Sequence, residues 1–176
     1  MKNKITPTLN ERVMTADEFI VSKTDATGRL TYCNRIFIEY SGYTELELLS
    51  QQHNIVRHPD MPRSVFHLLW STLKSGNEFF GYVKNMAKDG SYYWVIANVT
   101  PSYSTSGHDI KDISGYFSVR RKPDAEKLRI IEALYNDMLS AEKAAGTSGA
   151  IAAGTEVLMD VVNQTGKDYR EFILSI

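Results

Sequence analysis

His53-Asn54-Ile55-Val56-Arg57-His58-Pro59-Asp60-Met61-Pro62 gathers two imidazoles, a guanidinium and a carboxylate into one short stretch between apolar segments, the residue set of a binding site. A guanidinium holds two oxygens of one phosphate at once, so a phosphate-bearing ligand gives Arg57 a purpose. The plain alternative makes Arg57 and Asp60 a surface ion pair of little worth to stability. Pro59 and Pro62 keep the backbone out of regular helix until Asp60, which is placed to cap a helix over about 61–75. His53 and His58 are within reach of a metal, but no cysteine or His/Glu pair stands at metal-ligand spacing, so no metal site is expected. His67 shares the polar side of its helix with Arg63, Ser71 and Lys74, which makes it a solvated residue and a poor candidate for an axial metal ligand.

Two amides, Asn85 and Asn98, fall inside an apolar, alternating region. Residues 78–88 and 91–103 predict long strands joined by Asp89-Gly90, a strong signal for a two-residue hairpin loop. Pairing Lys88 with Ser91 sets Asn85 opposite Trp94, Val83 opposite Ile96 and Gly81 opposite Asn98. One face then carries Phe79, Gly81, Val83, Asn85, Trp94, Ile96 and Asn98. An unpaired buried amide costs roughly 1–3 kcal/mol, so the two either bond to each other and to loop backbone or satisfy the polar edge of a ligand. Gly81 removes volume beside Asn98, and Phe66, Trp70, Phe79 and Trp94 offer flat walls. That combination suits a planar heterocycle with a donor and acceptor edge. The alternative is an aromatic core with a polar network and no cofactor. The other face, with Phe80, Tyr82, Met86, Tyr93, Val95 and Val99, is too apolar to stay wet. A flanking helix, the N-terminal arm or a second protomer is expected to cover it.

The elements that must position these residues follow from periodicity. Residues 1–17 lack a sustained pattern and read as an arm. Segments 19–24 and 29–33 flank Asp25-Ala26-Thr27-Gly28, the residues of a tight reversal, and predict a first hairpin. Short helical patterns follow over 34–40 and 44–49. In the helix after the histidine-rich stretch, Phe66, Leu69, Trp70 and Leu73 form one apolar stripe. A polar loop with Ser104, Thr105, Ser106 and Gly107 precedes a third strand of that half over 112–121. Beyond Pro123, Leu128, Ile131, Tyr135 and Met138 predict a helix. Residues 146–154 read as a small-residue linker, and Val157 to Val162 and Tyr169 to Ile176 as two short amphipathic segments.

Composition narrows the function. The 176 residues (19.9 kDa) suit one ordinary domain with added elements. With Lys+Arg 20 against Asp+Glu 21, nothing calls for a nucleic-acid backbone or an anionic membrane as partner. The single cysteine, Cys33, excludes an intramolecular disulfide and fits a reducing compartment, so a cytoplasmic location is expected; it reads as a packed core residue. No apolar run approaches the ~20 residues that span a bilayer, and the start is polar, so neither insertion nor secretion is expected. No serine or cysteine has a local base, and there is no glycine-rich phosphate loop, so the chain is not expected to be an enzyme.

The element order together with the run from His53 to Pro62, Val83-Lys84-Asn85, Tyr93-Trp94-Val95 and Ser114-Gly115-Tyr116 resembles the PAS domain of bacterial aerotaxis receptors over about residues 18–121. The resemblance implies an α+β fold: a five-stranded antiparallel sheet with short helices over one face, here with a helical extension over 122–176. It also implies noncovalent FAD and redox sensing, with Arg57, His58 and Asp60 at positions tied to FAD binding and Asn34, Phe66, Asn85 and Asn98 at pocket positions. Phe79 stands where the receptor usually has tryptophan, so the aromatic wall differs. The receptor's membrane span and kinase-controlling coiled coil are not found in this sequence, which suggests a free-standing sensor. Its partner would be a signalling protein or a second copy, docked through the outer sheet face and flanking helices. The competing expectation is a cofactor-free or heme-binding PAS module that dimerises or docks.

Overall fold

The computed structural model describes residues 5–104 and 109–176. Five strands, β1 (Ile20–Asp25), β2 (Leu30–Cys33), β3 (Phe79–Met86), β4 (Tyr92–Tyr103) and β5 (Ile113–Arg121), form one antiparallel sheet in the order β2-β1-β5-β4-β3. Between β2 and β3 come α1 (Arg35–Ser41), α2 (Glu45–Leu48), a 3-10 turn (His53–Val56) and α3 (Arg63–Lys74). They cover the inner sheet face. After β5 follow α4 (Ala125–Ala144), α5 (Gly146–Gln164) and α6 (Tyr169–Ser175). The expected α+β architecture is therefore present. Residues 105–107 of the expected polar loop lie outside the described residues.

Local chemistry explains the first turns. Asp25 Oδ1 accepts from the amides of Thr27 (2.8 Å) and Arg29 (3.0 Å), and Gly28 takes a φ of +84°, which closes the β1–β2 reversal. Asn34 caps α1: its Oδ1 accepts from the amides of Phe37 (3.1 Å) and Val21 (3.0 Å), and its Nδ2 donates to the Phe19 carbonyl (2.7 Å).

The β3–β4 hairpin departs from the expected register. Ala87, not Lys88, closes it, donating to the Ser91 carbonyl at 2.7 Å, so the loop is Lys88-Asp89-Gly90 with Gly90 at φ +87°. The cause is tertiary: the Lys88 amide donates instead to the Ser41 carbonyl at the end of α1 (2.8 Å). Asn85 consequently pairs with Tyr93, Val83 with Val95, Gly81 with Ala97 and Phe79 with Val99. This one-residue shift turns β4 over relative to β3. Tyr93, Val95 and Val99 face the helices, while Trp94, Ile96 and Asn98 join Phe80, Tyr82 and Met86 on the outer face.

Two further expectations are corrected. The helix after Pro62 starts at Arg63, and Asp60 does not cap it. Instead, the buried Glu142 of α4 accepts from the Arg63 amide (2.9 Å), the Ser64 amide (2.9 Å) and Ser64 Oγ (2.6 Å). Residues 146–154 are not a linker but the first half of α5. Small residues stand there because α5 presses on α3: a Cβ on Gly154 would lie 2.4 Å from Ser64 Oγ and 2.6 Å from Glu142 Oε1.

The expected cover of the outer face is found in the chain itself, at the β3 side. Tyr135 of α4 lies 6.1 Å from the Trp94 ring and donates to the Tyr82 carbonyl at 2.8 Å. Arg170 of α6 sits over Phe80 (5.1 Å). The N-terminal segment folds back on the hairpin tip, where Arg12 donates to Ser91 Oγ and Asp89 Oδ2, each at 2.7 Å.

Candidate functional site

The histidine-rich segment bridges the helical side of the sheet. At one end Gln52 bridges to Arg29 beside β2, and at the other Arg57 bridges to Asn85 on β3. Between them, His53, Arg57, the α3 stripe of Phe66, Leu69, Trp70 and Leu73, and the inner faces of β1, β3, β4 and β5 enclose a cavity of about 140 Å³. Its walls are mainly apolar, with Val83, Ala97 and Val99 on the sheet side. Trp70 meets Tyr116 edge-on at 5.3 Å.

Arg120, Ser22 and His53 form a connected set in this cavity. Arg120 of β5 is only 2 % exposed, its guanidinium lies 4.6 Å over the Phe37 ring, and its Nη2 donates to Ser22 Oγ. Ser22 Oγ is in turn 3.2 Å from His53 Nε2. With Ser22 accepting from the arginine, its hydroxyl proton is free to donate to His53. Enclosure by the protein and the nearby Arg120 push His53 down to about 3, so it is neutral at physiological pH. Burial also lowers Arg120, to about 10, which leaves it a cation.

Four buried polar atoms of residues lining this cavity have no hydrogen-bond partner among the described residues: Arg120 Nε, Arg120 Nη1, Asn85 Nδ2 and Thr24 Oγ1. Among the described residues no carboxylate lines the cavity. Buried donors without acceptors, two of them on a charged guanidinium, are costly and rare. Such groups suit an acceptor-rich ligand edge.

The structure brings together His53, Arg57, Phe66, Trp70 and Asn85 from the expected set. It places the others elsewhere. Asn34 is occupied as the α1 cap. His58 is buried beside Tyr92 (6.0 Å), with Nδ1 accepting from the Asp60 amide at 3.1 Å, and burial lowers its pKa. Asp60 is exposed, 3.5 Å from Lys84 Nζ. Phe79 stacks on Tyr169 of α6 at 5.8 Å, outside the cavity lining. Trp94 and Asn98 are on the opposite sheet face, as the corrected register requires. Sequence reasoning missed Arg120 and Ser22. The alternation Tyr116, Ser118, Arg120 along β5 held the signal, since of two adjacent arginines one must point inward.

Comparison with known proteins agrees with this architecture. Residues 30–116 match the family model described as PAS fold. The chain is 43 % identical over 119 residues to the aerotaxis receptor of Escherichia coli (strain K12), covering 68 % of this chain and 22 % of the receptor. It is 30 % identical over 101 residues to a nitrogen fixation regulatory protein of Klebsiella pneumoniae, covering 57 % of this chain and 20 % of that protein. The chain thus spans about a fifth of these relatives. Among solved structures, the dark state of the blue-light photoreceptor Aureochrome1 LOV superposes with a TM-score of 0.56 at 18 % identity, covering 67 % of this chain and 83 % of that one. None of the described helices is long and apolar enough to cross a membrane. With strand order, helical cover and sequence match in agreement, this chain belongs to the PAS family and is similar to part of the aerotaxis receptor.

Proposed function

We propose that the chain is a cytoplasmic redox- or oxygen-linked sensor that holds FAD noncovalently between α3 and the inner sheet face. The observation that carries this reading is the set of unpartnered buried groups, Asn85 Nδ2, Arg120 Nε, Arg120 Nη1 and Thr24 Oγ1, around one apolar-walled cavity. The pyrimidine edge of a flavin ring offers carbonyl oxygens and ring nitrogens to such donors, and the α3 stripe offers apolar walls to its faces. The resemblance to aerotaxis receptors supports the same group. Volume sets a condition. About 140 Å³ is near the ~150 Å³ void that takes a benzene ring, so a tricyclic flavin requires α3 to shift outward and Trp70 to part from Tyr116.

Bound FAD supplies reversible uptake of electrons and protons. The residues of this chain do the rest. Asn85 and Arg120 orient the acceptor edge, Arg57 stands at the mouth over Phe66 (4.0 Å), and Phe66 and Trp70 exclude water. Asn85 would donate to the ring's acceptor edge and so respond to its charge, and Asn85 sits on an edge strand held from outside at two adjacent points. The Lys84 amide bonds Met61 Sδ (3.2 Å) and the Tyr82 carbonyl accepts from Tyr135 of α4. The wall helix α3 is itself tied to α4 through Glu142. Both cavity walls thus end on the same output helix, whose repacking would present the signal to a partner protein or a second copy.

Titrating FAD into flavin-free protein while following flavin fluorescence tests this. Saturable binding that falls at least about tenfold in Asn85→Ala and in Arg120→Met is expected. Unchanged affinity in both variants would overturn the site assignment. The second reading, a cofactor-free docking module, is favoured by one observation, the single-ring size of the cavity. Absence of any flavin binding would establish it instead.

A further inference from the structure

The cavity is not the only recess at Arg57. The same residue also lines an open groove of about 350 Å³ between the 57–63 segment and the α4–α5 junction. Arg63 and Lys143 stand on its walls, with Thr147 and Ala150 from α5. The groove therefore carries three cationic side chains. Its one carboxylate, Glu142, already accepts from two α3 amides and the Ser64 hydroxyl. Arg57 makes one hydrogen bond to the Met61 carbonyl (3.3 Å), and Arg63 Nη1 one to the Thr147 carbonyl (3.2 Å). Both guanidiniums therefore keep further N–H groups to offer.

We infer that this groove binds the pyrophosphate and nucleoside half of a dinucleotide flavin, so that the C-terminal helices complete the cofactor site. The inference rests on the flavin reading above. Arg57 lines both recesses, so a ligand whose ring fills the cavity and whose chain passes Arg57 reaches the groove. Two guanidiniums and an ammonium converging on one recess match a diphosphate, because each guanidinium pairs with two oxygens. The size also lies within the range of small-molecule sites, about 300–1,000 Å³. Of the three cations, Lys143 belongs to α4, beyond the family match over 30–116, so recognition of the tail is a property of the extension as well as of the sensor fold.

The test compares FAD, FMN, riboflavin and ADP as ligands of the flavin-free chain, in wild type and in an Arg63→Gln/Lys143→Gln double variant. Both substituted side chains are exposed, and the Arg63 amide that Glu142 caps remains. Wild type is expected to bind FAD at least about tenfold more tightly than FMN, and ADP to compete with FAD but not with riboflavin. In the double variant FAD is expected to fall to the FMN level while riboflavin is unchanged. Equal affinity for FAD and FMN in wild type, or an FAD preference that survives the double substitution, would overturn the inference. If no flavin binds at all, the flavin reading fails separately. ADP binding that the double variant loses would then keep the groove as a diphosphate site, and no ADP binding would overturn that too.

Discussion

Glu142 on α4 and Ser64 at the start of α3 are joined twice: Glu142 Oε1 accepts from the Ser64 amide at 2.9 Å and from its hydroxyl at 2.6 Å. A carboxylate from outside the sensor sheet thus closes the otherwise open N-terminus of the helix that walls the cavity, where the helix dipole also favours a negative charge. Glu142→Ala is expected to lower stability by about 1–3 kcal/mol, read from urea unfolding. Gly154→Val is expected to act on the same contact from α5, because its side chain would enter the space between Ser64 and Glu142. Hydrogen exchange at the Arg63 and Ser64 amides should speed up in both variants. Unaltered protection there would contradict the capping role.

Arg120 carries the opposite signature, a buried charge whose hydrogen bonding is incomplete among the described residues. Its guanidinium is buried with two N–H groups unpartnered among the described residues. Replacing a poorly compensated buried charge by an apolar side chain of similar size is often stabilising by about 1–4 kcal/mol. Arg120→Met is therefore expected to raise the melting temperature of flavin-free protein while weakening FAD binding. A variant that loses both stability and binding would show that Arg120 is a structural residue.

The corrected hairpin register separates residues that alternation alone had grouped. Asn85→Ala is expected to weaken FAD binding, whereas Asn98→Ala on the outer face is expected to leave it within about twofold. Phe79→Trp should likewise spare the flavin and disturb the stacking on Tyr169 of α6. Equal losses of affinity from Asn85→Ala and Asn98→Ala would restore the two-residue loop and its register.

Acid sensitivity follows from the enclosed imidazoles. His53 has an ordinary value of 6.5 and is pushed down to about 3 in the folded chain. Below pH 6.5 the unfolded chain takes up a proton that folded His53 refuses, so stability is complete above that value and declines as pH falls toward 3. His58, lowered by burial, adds in the same sense. Glu47 and Asp89, each held down to about 2 by hydrogen bonds, contribute only below the ordinary carboxylate range. Between about pH 6.5 and 5 the slope of stability against pH should therefore shrink in His53→Gln and further in the double variant with His58→Gln. An unchanged slope in the double variant would refute this.

Much of the fold was legible because it rests on local rules. Asp25 and Gly28 mark a turn, Asn34 a helix cap, and the Phe66 to Leu73 stripe a helix that must face something. What escaped depends on contacts distant in sequence. The loop length after β3 is decided by the Ser41 carbonyl taking the Lys88 amide, and the start of α3 by Glu142, 78 residues away from Ser64. The glycine and alanine run at the start of α5 looked like a linker, because small residues signal flexibility and close packing alike. In the candidate site, the residues from the 53–57 segment and α3 were named on chemical grounds. Arg120 was readable from strand alternation and was overlooked. Trp94 and Asn98 were misplaced by a single-residue slip.

The near-ultraviolet and visible absorption spectrum of natively purified protein, taken before and after dithionite, tests the proposed cofactor most directly. A flavin spectrum that bleaches on reduction, with FAD as the species released by heat, is the predicted result. A colourless protein that stays colourless after incubation with FAD and desalting would contradict it.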